Sequence, residues 1–171
     1  TLNPLFFRTW TAGMAYVLGF FAADGYMIKN KRGGYFVDFY SNDKDILEKI
    51  QKVAGSSHKI SKRIRRGNQM TSYRIQIGNK TWFNDLTALG FMQRKSKVLT
   101  MPTVSQEFLP HFVRGYFDGD GNIWFGKIHN HDRPNPVRVL AVMFTCGSKK
   151  FVSALQEQLK KNANLKGGSF A

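Results

Sequence analysis

The first long apolar run in the chain, residues 14–23, carries no charge on any face. Such a run predicts a helix buried on all sides, here over residues 12–24. Downstream the period changes. Residues 26–29 and 35–40 read as two strands joined by a turn at Gly33-Gly34. Asp43 then caps an amphipathic helix over 44–54, with Ile46, Leu47, Ile50 and Val53 as its apolar stripe. Residues 59–66 and 71–77 read as a second hairpin around Gly67-Asn68, and a last helix over 80–89 stops at Gly90. The order is αββαββα.

The pattern then begins again. "LGFFAADG" (18–25) is answered by "RGYFDGDG" (114–121), which aligns Asp24 with Asp120 at an offset of 96 residues. "FYSNDKDILEKI" (39–50) likewise aligns with "FTCGSKKFVSAL" (144–155), with Ser148 as the cap and Phe151, Val152, Leu155 and Leu159 as the stripe. The second copy reads αββα, has a longer first hairpin holding the polar stretch "HNHDRPNP", and is expected to be incomplete, lacking a further hairpin and helix. Residues 98–110 have the composition of a linker, with Pro102 and Pro110 limiting helix at either end. The predicted class is α+β: one unit over 1–97, the linker, and a second unit over 111–171.

The twin phrases carry the chemistry. Gly19 and Ala23 lie four residues apart, as do Gly115 and Gly119, so each helix presents a face of small residues. Two such helices are most simply explained by packing on one another as a pseudo-twofold pair. Asp24 and Asp120 then end their helices side by side, with Gly25 and Gly121 expected as left-handed caps. Each carboxylate faces the negative end of a helix dipole, and each raises the other's pKa unless a cation intervenes. A hard divalent ion suits that arrangement: Mg²⁺ first, with Mn²⁺ or Ca²⁺ as substitutes. Taken singly, either acid reads as an ordinary exposed helix end. The matched pair reads as a metal site.

Charge changes the picture next. A formal net charge of +15 over 171 residues gives affinity for polyanions through counterion release. On composition alone this also fits a generic basic domain or a protein on an anionic membrane, but no apolar run is long enough to span a bilayer. The lone Cys146 excludes an intrachain disulfide and fits an intracellular setting, cytoplasmic or organellar. No Cys/His or Ser/His pattern suggests a side-chain nucleophile. His129 and His131, in a polar loop, are a weak metal signal.

"VLGFFAADG" (17–25) and "VRGYFDGDG" (113–121) resemble, position for position, the LAGLIDADG motif of homing endonucleases, and αββαββα is the core of that family. The resemblance implies a DNA-binding saddle whose strands lie along the major groove, with both DNA strands cut to leave staggered ends. It implies that Asp24 and Asp120 bind the catalytic metal, aided by the backbone carbonyls of Ala23 and Gly119, and that Lys95 (or its neighbour Lys97) sits near the scissile phosphate. It also implies double-stranded DNA as partner, an intron-encoded origin, no membrane, and a monomer when full length. The sixth motif position departs from symmetry, Ala22 against Asp118, and Asp118 is expected to pair with Arg114.

Strand alternation names the expected DNA face. Ile60 and Ile64 turn inward, so Ser61, Arg63 and Arg65 turn outward; Tyr73, Ile75 and Ile77 turn inward, so Ser72, Arg74 and Gln76 turn outward. Lys29, Asp38 and Tyr40 are further candidates, as are Lys127 and Arg138 in the second unit. A non-cleaving binder on the same fold, either an intron RNA maturase or a DNA-binding regulator, is the alternative reading. Inteins carry this endonuclease too, but the "HN" pair at His129-Asn130 is internal and splicing is not expected.

Overall fold

A computed structural model describes residues 2–64, 71–129, 131–132, 134–165 and 167–170. Helix α1 (Ala12–Asp24) starts where the Thr11 hydroxyl accepts the Met14 N–H at 3.0 Å. It leads directly into β1 (Gly25–Lys29), followed by β2 (Tyr35–Ser41), α2 (Lys44–Val53), β3 (Ile60–Ile64), β4 (Thr71–Gly78) and α3 (Lys80–Ala88). The four strands form one antiparallel sheet in the order β1-β2-β4-β3. The motif then repeats as α4 (Leu109–Asp120), β5 (Gly121–Ile128), β6 (Val137–Phe144) and α5 (Lys149–Ala163), with β5 and β6 forming a separate antiparallel pair. Asp43 caps α2 and Ser148 caps α5. Gly90, at φ 93°, supplies the left-handed turn after α3.

Helix α1 is buried all round because it is covered on two sides. Phe21 meets Phe39 of the sheet and Phe91 beyond α3, with ring centroids 5.6 and 5.3 Å away. Its opposite side packs on α4, and the contact follows the glycines. A Cβ on Gly19 would strike the Phe112 carbonyl, and one on Gly115 would strike the Tyr16 carbonyl. Gly19 corresponds to Gly115 and Tyr16 to Phe112, so the two collisions are one contact repeated by the pseudo-twofold. Below the sheet, Leu47 and Ile50 of α2 and Trp82 and Leu86 of α3 are fully buried. Burial of each such side chain contributes roughly 1.5–3 kcal/mol.

Three expectations are corrected. Gly25 and Gly121 are not left-handed: their φ values are −86° and −88°, and each helix turns straight into its strand. Glycine is required there for space, since a Cβ would collide with the ring of Phe21 or Phe117. Pro110 does not stop a helix but lies in the first turn of α4, where no N–H donor is needed. Ile64 does not reach the core; it is 66% exposed at the far end of β3. Arg65 and the turn at Gly67-Asn68 lie outside the described residues.

The two sheets differ in their cover. Ile123, Phe125, Leu140 and Val142 share with Phe144 the face of the second sheet that turns toward α4, yet they remain 62, 69, 66 and 56% exposed. Among the described residues, no helix is long and apolar enough to cross a membrane.

Candidate active site and nucleic-acid interface

The glycine seam brings the ends of α1 and α4 together. A Cβ on Gly119 would lie 2.5 Å from the Ala23 methyl and 3.3 Å from Asp24 Oδ2. Asp24 therefore leaves its helix against the residue before Asp120. Neither carboxylate forms a salt bridge among the described residues. Burial, and then the charge of Asp120, push Asp24 up to about 6, against a smaller opposing pull from Lys95. Burial raises Asp120 as well, again offset by Lys95.

Lys95 is the third member. Arg94 adopts a left-handed φ of 58°, costly for a non-glycine residue by about 1 kcal/mol, and starts a short 3-10 turn over Lys95–Lys97. Lys95 turns inward from it and is only 6% exposed, while Lys97 is exposed. The Lys95 ammonium donates to the carbonyls of Ala22 and Ala23 at 2.8 and 3.2 Å. These are among the last carbonyls of α1, which have no N–H partner within the helix, so Lys95 caps the negative end of its dipole. Burial lowers its pKa to about 8, against the opposing pull of Asp120 and Asp24.

An open cleft of about 460 Å³ is lined by Ala23, Asp24, Gly25, Tyr26, Tyr40, Lys95 and Ser96. Tyr26 and Ser96 are additions that sequence reasoning missed. Tyr26 was legible, since Met27 points inward and its neighbour must point out. Among the described residues no group of three or more His, Cys, Asp and Glu forms a metal cluster. His129 and His131 thus gather no third such ligand there. The donors gathered at the helix ends are the two carboxylates and the nearby backbone carbonyls, an all-oxygen set matched to a hard divalent ion.

The sixth motif position has a cause. Asp118 accepts the Tyr16 hydroxyl at 2.7 Å across the helix pair, instead of the expected ion pair with Arg114. The symmetry-related positions are Ala22 and Phe112, which have neither acceptor nor donor. Donor and acceptor are present together on one side of the pseudo-twofold and absent together on the other. Burial and Asp118 push the Tyr16 phenol far above its ordinary range.

Above the cleft, register assembles the outward face of the first sheet. Tyr26, Asp38 and Gln76 form one row across β1, β2 and β4; Tyr40, Arg74 and Ser61 form the next across β2, β4 and β3; Ser72 pairs with Arg63. Asp38 is not at the surface. It is fully buried, with Oδ2 accepting from Arg74 Nε at 3.1 Å, from Arg74 Nη2 and from the Tyr40 hydroxyl at 3.2 Å. Alternation places Lys29 with Met27, on the helix side of the sheet, where its ammonium lies 5.4 Å from the Tyr35 ring centroid. Lys127 and Arg138 are direct cross-strand partners on the face of Phe144, also opposite to the expected side. In all three cases the face follows from register with a buried neighbour, which the basic side chain alone does not reveal.

Residues 12–86 match the family model described as a LAGLIDADG-like domain. No curated protein matches the chain. Solved structures with the same fold include the homing endonuclease I-WcaI bound to its DNA recognition sequence, with 22% identity over 97% of this chain and 76% of that one, TM-score 0.60. They also include the meganuclease I-AabMI bound to uncleaved DNA, with 14% identity over 99% of this chain and 76% of that one, TM-score 0.59. The homing endonuclease I-LtrWI bound to target DNA matches with 12% identity over 95% of this chain and 74% of that one, TM-score 0.55. The first copy of the motif thus lies within a LAGLIDADG-like domain, residues 12–86, the phrase recurs at Asp120, and nearly the whole chain shares the fold of these endonucleases.

Proposed function

We propose that the chain is a site-specific, divalent-metal-dependent DNA endonuclease of the homing type, which hydrolyses phosphodiester bonds in both strands and leaves staggered ends. The convergence of Asp24 and Asp120 carries this reading. Two half-buried carboxylates that repel each other and have no salt-bridge partner among the described residues are unfavourable in a protein that only binds. Their donor chemistry fits Mg²⁺. Asp24 and Asp120 would hold the ion, with backbone oxygens of Ala23 and Gly119 as further candidates. When bound, such an ion acidifies water and stabilises charge on the phosphate and the leaving oxygen.

The chain's own groups supply the rest. Lys95 stands beside the carboxylates with its ammonium fixed on the end of α1, adding positive charge where phosphate charge builds. The outward rows of the first sheet, on a chain of net charge +15, supply the surface on which a duplex lies. The DNA-bound state of I-WcaI, I-AabMI and I-LtrWI supports a duplex as partner here. We take the active form to be a monomer, because α1 and α4 of one chain provide both acids.

The test is incubation of the protein with a library of duplex DNA and Mg²⁺. Sequence-specific cuts are expected, and they should vanish in Asp24→Asn and Asp120→Asn while DNA binding survives. Tight binding of structured RNA with no cut in any duplex would favour the maturase reading. Selective duplex binding without a cut would favour a regulator.

A further inference from the structure

Asp38 is an odd residue for its place. It lies in mid-strand with no exposed surface, between the buried Val37 and Phe39, and its Oδ1 has no hydrogen-bond partner among the described residues. A buried carboxylate with an unsatisfied oxygen is costly, and an apolar residue of similar size would fill the space without that cost. The fold does not demand an acid there: the corresponding position of β6, one residue before Phe144, is Met143. What Asp38 does hold is Arg74. The Nε and Nη2 N–H groups of the guanidinium both rest on Oδ2, Tyr40 adds its hydroxyl to the same oxygen, and the Tyr40 ring centroid lies 5.5 Å from the guanidinium carbon. One edge of the fork is thereby consumed. The end-on edge, Nη1 and the outer N–H of Nη2, has no hydrogen-bond partner among the described residues, on a side chain that is 14% exposed, and its geometry matches O6 and N7 of a guanine.

We propose that Arg74 reads a single guanine in the major groove of the target and that Asp38 is a positioning residue, fixing which edge of the guanidinium faces the base. This rests on the reading of the chain as a duplex-DNA binder and adds the base and the residues that select it. A free arginine contacts phosphates and bases alike. A clamped one loses that latitude, and its contact becomes a sequence preference.

The experiment is selection of bound duplexes from a randomised pool by the full chain, without divalent metal, followed by sequencing. The wild type should enrich one position for G that is lost in Arg74→Lys, which keeps the charge but not the fork. Preference there should fall about tenfold or more, with other positions unchanged. Asp38→Asn should relax the same position and no other. A merely structural role would weaken every position together, and that result overturns the proposal, as does a G preference that survives Arg74→Lys or Asp38→Asn. If Asp38→Asn fails to fold, as judged by melting, the neutral pair Asp38→Asn/Arg74→Gln replaces it, and the same single position must lose its G. No enrichment by the wild type sinks the DNA-binding reading and the proposal with it. Selective enrichment by a protein that never cuts sinks only the nuclease.

Discussion

Gly119 stands where Asp24 passes: a Cβ there would lie 3.3 Å from the Asp24 carboxylate oxygen and 2.5 Å from the Ala23 methyl. The absence of one side chain lets two helix ends close on each other. Gly119→Ala must push Ala23 aside and should cost about 1–3 kcal/mol. At Gly19 and Gly115 the obstacle is backbone carbonyl, which has no rotamer to change. Gly19→Ala or Gly115→Ala should therefore cost about 3 kcal/mol or more, read from denaturant midpoints at constant slope.

The carboxylate pair sets a pH dependence. Asp24 titrates at about 6 in the folded protein and in the ordinary, lower carboxylate range when unfolded. The folded state thus holds its proton more tightly, so stability falls as pH rises through about 6 and is regained as pH drops toward 4. Lys95 stays protonated in both states across that window, because its lowered value is about 8. Without metal, the melting temperature should decline from pH 5 to pH 7, and Asp24→Asn should flatten the decline. A profile unchanged by Asp24→Asn would show that the carboxylate is not strained.

Lys95 and Lys97 separate cleanly. Lys95→Gln removes a buried cation from the carboxylate pair and should lower the cleavage rate by about 10²–10³ with little change in DNA affinity. Lys97 is exposed, so Lys97→Gln should leave the rate within a few-fold. Equal losses in single-turnover cleavage would argue that both act only through general charge.

Arg63 and Arg74 occupy the same outward face but differ in energetics. Arg74→Ala strands a fully buried Asp38 and should cost about 3–5 kcal/mol of stability, whereas exposed Arg63→Ala should stay within about 0.5 kcal/mol. Removing both should weaken duplex binding, and each lost phosphate contact should shallow the salt dependence by about 0.9 in log–log slope. Unchanged affinity at moderate salt would take this surface out of the interface.

Much of this was legible in the sequence, for identifiable reasons. Helix α1 was readable to the residue because an uncharged run bounded by Thr11 and Asp24 admits few alternatives. The meeting of α1 and α4 was readable because pairs of small residues at a spacing of four, Gly19 with Ala23 and Gly115 with Gly119, recur at the same place in both copies. Three kinds of feature were not readable. The conformation of Gly25 and Gly121 depends on the rings of Phe21 and Phe117, a steric demand that looks identical to a cap in one dimension. The burial of Asp38 depends on Arg74, 36 residues away across the β2–β4 register. The choice of Lys95 over Lys97 depends on a left-handed Arg94, which no composition rule anticipates.

The most direct test of the whole account is a calorimetric titration of Mn²⁺, in place of Mg²⁺, into the DNA-free protein and its single variants. If Asp24 and Asp120 jointly hold one ion, either Asp24→Asn or Asp120→Asn alone should abolish the binding heat. Two variants that each retain binding at wild-type affinity would mean the carboxylates act separately, and the shared-cation site would be contradicted.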